Sequence, residues 1–226
     1  MGRMSESLAP AALAAPAKPK LRGRIHEVAF FVSIPAGIVL VLLAGSAVAG
    51  AAAAVYALSL TAVFGASAAY HRGRWSPVAL RRMKRLDHSM IFVLIAGSYT
   101  PISVLALHGA WSVVMLSVAW VGAAVGITLK LAKIDGLRVT TGALYIGLGW
   151  FALVATPEIL RGVPFPAFLL MVAGGLLYTA GAIVFASKRP DPRPAVFGYH
   201  EVWHSFMTAA VVCHWVMILL VLRAAG

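Results

Sequence analysis

The chain has 226 residues, of which 61% are hydrophobic and 12% charged, and carries a net charge of +12. A soluble domain of this size cannot hide that much apolar surface, so the composition excludes a soluble globular protein and predicts a polytopic membrane protein. The single cysteine, Cys213, excludes a disulfide framework and any thiolate metal cluster within one chain.

Residues 1–23 are rich in Ala and Pro and read as a disordered tail. A signal peptide fits less well, because the apolar stretch Leu8 to Ala15 is short and broken by Pro10. Residues 24–226 read as one membrane domain. Seven apolar runs there are long enough to cross a bilayer core: 28–47, 51–70, 89–107, 111–131, 139–156, 165–186 and 201–222. The second is Ala-rich and the fifth is short. In the third, the run Ala96-Gly97-Ser98-Tyr99-Thr100-Pro101 puts a proline mid-membrane. Pro101 is expected to loosen that helix, with Ser98 or Thr100 satisfying the freed carbonyl.

The basic residues alternate from loop to loop. Five lie before the first span (Arg3, Lys18, Lys20, Arg22, Arg24) and six after the second (Arg72, Arg74, Arg81, Arg82, Lys84, Arg85). Three follow the fourth span (Lys130, Lys133, Arg138) and three the sixth (Lys188, Arg189, Arg193). The opposite side has only Arg161 and Arg223. The positive-inside rule therefore predicts a seven-helix, all-α bundle in the inner membrane, with its N-terminus cytoplasmic and its C-terminus outside. The positive charge is accounted for by anionic lipid headgroups at these loops, and nucleic acid is not expected as a partner.

Four sets of ionisable residues fall at span ends on the cytoplasmic side: His26 and Glu27, His71, Asp87 and His88, and His200, Glu201 and His204. The orientation rests on Lys and Arg alone, so this convergence is independent of it. It implies one site near the inner leaflet. His200 and His204 are four apart, about 40° around a helix and about 6 Å along it, so both imidazoles reach one ion from one face. His71 supplies a third ligand. Ser67 lies one turn deeper on the face of His71. Three neutral imidazoles with an open position are the donor set of a catalytic zinc site, which acidifies water and polarises carbonyl groups. In that reading Asp87 accepts a proton and Ser67 positions water or substrate. Imidazoles bind several first-row ions, and zinc is the expected one.

Blander readings stand beside these. A lone histidine at a span mouth, such as His26 or His108, reads as an amphipathic interface anchor. Asp87 follows a basic run and suits an ion pair with Arg81 or Arg85. His200-Glu201-Val202-Trp203-His204 matches the zinc-protease pattern H-E-x-x-H. Glu201 points about 100° away from His200, however, toward cytosolic water. Nor does the core of any span offer a further acidic ligand. His214 lies about 15 Å beyond His204 along the helix and reads as a histidine bonded to a neighbouring span.

Four segments together resemble a known family: Ser67-Ala68-Ala69-Tyr70-His71, Leu86-Asp87-His88-Ser89-Met90-Ile91-Phe92, Ala96 to Pro101, and Gly198-Tyr199-His200-Glu201-Val202-Trp203-His204. The chain is similar in these, from about residue 22 to 223, to the hemolysin III family, the bacterial branch of the progestin and adipoQ receptor (PAQR) group. The resemblance implies seven helices with a cytoplasmic N-terminus. It also implies zinc held by His71, His200 and His204, with Ser67 and Asp87 nearby. The wider superfamily includes alkaline ceramidases, which cleave a lipid amide. The expected function is therefore zinc-dependent hydrolysis of a lipid amide or ester, with membrane lipids as partners. A lipid-state regulator with structural zinc, or a lytic protein, remains open.

Overall fold

A computed structural model describes residues 18–132 and 138–226. Lys133, counted above among the loop cations, lies outside the described residues, as do Arg3 and most of the expected tail. Residues 18–23 are described, and they are folded. Lys20 and Leu21 donate backbone hydrogen bonds to the carbonyls of Ala195 and Val196, both at 3.1 Å.

Seven helical spans follow. α1 (Arg24–Leu42) and α2 (Ala47–Arg72) pack as a hairpin, and α3 (Pro77–Leu105) and α4 (Gly109–Ala132) continue the up-and-down order. The fifth span is composite: α5 (Arg138–Trp150), a 3-10 segment (Phe151–Ala155) and the short α6 (Thr156–Gly162). α7 (Phe165–Ser187) and α8 (Tyr199–Ala225) complete the bundle. α8 packs chiefly on α7 and also touches α1, α2 and α3, so the last span closes the bundle against the first. Among the described residues there is no strand, only one isolated bridge between Arg193 and Phe197.

Each boundary has a local cause. Ser46 and Ser76 cap α2 and α3 by accepting from the N–H groups of Ala49 and Ala79, at 3.2 and 3.3 Å. Pro77 sits in the first turn of α3, where its missing N–H costs nothing. The basic run Arg81 to Arg85 is therefore helical, and α3 starts about three turns before its apolar stretch. An apolar run marks only the turns that lie in hydrocarbon, so it understates a helix that extends into the headgroup layer. The break in the fifth span is held by Tyr99. Its hydroxyl donates to Leu148 O at 2.7 Å and accepts from Ala152 N–H at 2.7 Å, satisfying backbone groups that the helix interruption frees.

Pro101 lies inside α3 and does not end it. α3 runs through it as continuous helix. Ser98 and Thr100 donate to Leu94 O and Ala96 O, at 2.8 and 2.9 Å, and not to Gly97 O, the carbonyl that the proline frees. Trp120 on α4 donates to Thr100 Oγ1 at 3.1 Å, which ties the two helices at this point.

α3 is the most enclosed span. Its face, with those of α2 and α8, forms the core around Tyr56, Phe64, Phe92, Met217 and Ile218. Close approach depends on small residues. A Cβ at Gly126 would stand 2.3 Å from the Phe92 ring, and one at Gly174 would stand 2.4 Å from the His214 ring. The outer faces present large apolar side chains such as Leu58, Val121 and Ile183, as lipid contact requires.

Candidate metal centre

The ionisable sets at the span ends meet at one end of the bundle. α2 delivers Ser67 and His71 on one face, and α8 delivers His200 and His204 from its first two turns. The N-terminus of α8 is fixed by two carboxylates. Glu201 Oε2 accepts from Gly198 N–H at 2.9 Å, and Asp191 Oδ1 accepts from Tyr199 N–H at 2.8 Å. This anchoring sets the rotation of α8 and aims its histidine pair at α2.

The Nε2 atoms of His71 and His200 stand 3.2 Å apart. Ligand nitrogens of His71, His200 and His204 all lie within 4.8 Å of one another. Two nitrogens bound tetrahedrally at about 2.0–2.1 Å would be about 3.3 Å apart, so the first pair is already at metal-binding separation. Among the described residues this is the one group of three or more such ligands that could hold an ion. The donor set fits a borderline metal with an open coordination position, and no acidic residue belongs to it.

Ser67 lies one turn before His71 on α2, and Asp87 on α3 reaches Ser67. The Ser67 hydroxyl is hydrogen-bonded to the Asp87 carboxyl, and its Oγ lies 2.8 Å from His26 Nδ1. A serine has one proton to give. When that proton goes to Asp87, Oγ accepts from His26 Nδ1–H, the Nδ1–H tautomer of that ring. No arginine lies within ion-pair distance of Asp87 among the described residues. Its nearest cationic candidate is His88 Nδ1 at 3.7 Å, and that atom is also 2.6 Å from Lys84 O.

His26 is the member that sequence reasoning undervalued. It is 1% exposed, not an interface anchor. Its ring lies flat on that of His204, with centroids 3.7 Å apart and planes within 9°. The usable signal was its position at the same membrane face as the other three.

Glu201 also departs from expectation. It is fully buried and faces Arg22, not water, with Arg22 Nε 2.5 Å from its Oε1. The helical-wheel angle was correct, but the folded segment before α1 occupies the space that water was assigned. Glu201 thus caps the Gly198 N–H and neutralises Arg22. Gly23, next in sequence, takes φ +80°, and a Cβ there would stand 2.5 Å from the Cβ of His71. A positive φ and this contact together demand glycine. Lys18 donates to the His71 carbonyl. Partial burial, followed by repulsion from Arg22 and Arg72, lowers the pKa of its ammonium group. A cavity of about 420 Å³ opens beside the histidines, lined by Lys18, Arg22, Tyr70, His71, Leu80 and His200.

His214 lies apart, as its depth requires. Its Nε2 is 3.4 Å from Met171 O and its ring meets Tyr178 edge-on.

Residues 15–215 match the family described as "Haemolysin-III related". The chain belongs to the hemolysin III family. It is similar to "Hemolysin-3" of Bacillus cereus, 33% identical over 185 residues, covering 80% of this chain and 81% of that protein. It is also similar to "Hemolysin-3 homolog" of Bacillus subtilis (strain 168), 28% identical over 80% of this chain and 84% of that protein. A more distant relative is the human "Monocyte to macrophage differentiation factor", 26% identical over 73% of this chain and 67% of that protein. Membership agrees with the PAQR-type resemblance and with a multi-pass membrane protein of seven spans.

Proposed function

We propose that this hemolysin III protein is a metal-dependent hydrolase of a lipid amide or ester, with its site at the cytoplasmic face of the inner membrane. The observation that carries the reading is the His71–His200 separation of 3.2 Å with His204 alongside. Such a donor set holds zinc with a position left for chemistry, and zinc supplies Lewis acidity and makes water a stronger acid there. Asp87 is the proton acceptor. Its side chain keeps 16% of its exposure, so it is not sealed from water. Ser67 holds that carboxyl in place. The 420 Å³ cavity gives a lipid carbonyl access to the histidines, with Leu80 and Tyr70 as walls for its apolar part. The alternating basic loops support the cytoplasmic placement, and anionic headgroups at those loops would hold substrate lipids nearby.

A second reading is favoured by one feature. The three histidines come from α2 and α8, helices far apart in sequence, so an ion there also acts as a clamp in a non-enzymatic regulator of lipid state. The lytic activity suggested by the relatives' names is a third possibility. Hydrolysis of defined lipids by the purified chain, with and without chelator, tests the proposal. Chelator-sensitive product absent from His204→Ala supports the hydrolase. Unfolding on chelation with no product from any lipid supports the clamp, and ion flux through reconstituted liposomes supports lysis.

A further inference from the structure

A metal-bound histidine is normally oriented by a hydrogen bond from its other ring nitrogen to a carboxylate, carbonyl or water. His204 lacks that support. Its Nδ1 is buried without a partner, and no hydrogen bond from its ring is found among the described residues. What does meet the ring is His26, stacked face to face at 3.7 Å. His26 is itself held on two further sides. Its Nδ1 is 2.8 Å from Ser67 Oγ, and its ring meets Phe64 edge-on with centroids 5.1 Å apart. Stacked planes within 9° of parallel prevent both rings from pointing at one ion in their own planes. His26 therefore does not complete the ligand set.

We infer that His26 is the positioning residue of the metal centre, its ring fixing the plane of His204 and its Nδ1 fixing the hydroxyl that holds Asp87. The inference rests on the metal reading above and assigns α1 a part in a centre whose ligands all come from α2 and α8. One side chain then couples the ligand geometry to the proton acceptor. Displacing it loosens both.

The two roles separate by substitution. His26→Phe keeps a ring to stack and deletes the bond to Ser67. His26→Asn keeps a polar atom near Ser67 and deletes the ring. His26→Ala removes both. Cobalt(II), added to the purified full-length chain after metal removal, gives an affinity and a visible absorption band that report ligand geometry. Thermal unfolding of the same samples reports folding. His26→Phe is expected to bind Co(II) within about threefold of the parent with the same band. His26→Asn and His26→Ala are expected to bind about tenfold more weakly with an altered band, the lower end of the usual effect of such supporting residues. Should His26→Ala fail to fold, the Phe and Asn variants decide by their difference. Parent-like affinity and band in a folded His26→Asn or His26→Ala, or equal losses in Phe and Asn, would overturn the inference while leaving the metal site intact. A parent chain that takes up no Co(II) would instead remove the metal reading itself.

Discussion

His71 and His200 are separated by 129 positions, yet their Nε2 atoms stand 3.2 Å apart. Two neutral imidazole nitrogens at that distance share either one proton or one cation. The nearby third histidine and the fixed N-terminus of α8 favour the cation.

Removing one ligand should abolish tight metal binding without unfolding the bundle. His71→Ala and His200→Ala are each expected to lower zinc affinity at least 100-fold. The apolar packing of α2 against α3 and α8 should keep the chain folded. Metal titration with a competing chelator measures the first effect, and circular dichroism the second.

Asp87→Asn should separate binding from chemistry. The amide is nearly isosteric and can still bond to Ser67, but it cannot accept a proton. Metal content is expected to stay at the parent level while turnover of a lipid substrate falls roughly 100-fold or more, the usual contribution of a general base. Unchanged turnover would remove Asp87 from the mechanism.

Glu201 provides the contrast with a protease. Glu201→Ala leaves the Arg22 guanidinium without its carboxylate and uncaps Gly198 N–H. Arg22 keeps some contact with water, so the loss of stability is expected at about 2 kcal/mol, below that for a fully enclosed pair. Glu201→Gln, which can still accept from Gly198, should lose less and retain metal and turnover within a few-fold. A loss of turnover as large as that of Asp87→Asn would restore Glu201 as the base.

Gly23→Ala should damage the site from outside it. The left-handed φ costs about 1 kcal/mol or more, and the new methyl presses on the Cβ of His71. Reduced zinc affinity with a modest fall in melting temperature is expected. A control at Gly147, where a new Cβ meets nothing within 4 Å, should leave zinc affinity unchanged.

Much of this was legible in the residues because two periodicities do not depend on context. The i, i+4 spacing fixed His200 and His204 on one face, and the alternation of basic loops placed His71 at the same end. Ser67 followed from its spacing to His71. What was hidden depended on packing between spans. His26 carries no local pattern, and only contact between α1 and α8 distinguishes a buried stacked ring from a surface one. Glu201 was assigned to water because nothing in its own helix announces Arg22. The folded segment Lys18 to Gly23 has the composition of a tail and owes its order to backbone bonds with residues near 195. The helical start of α3 was missed because hydropathy does not register a polar turn capped by Ser76.

The central claim is tested most directly by the metal content of the purified full-length chain, measured beside a variant with His71, His200 and His204 all changed to alanine. The account predicts about one zinc per parent chain and almost none in the variant. A folded parent chain that carries no more metal than the triple variant, even after zinc is supplied, would contradict it.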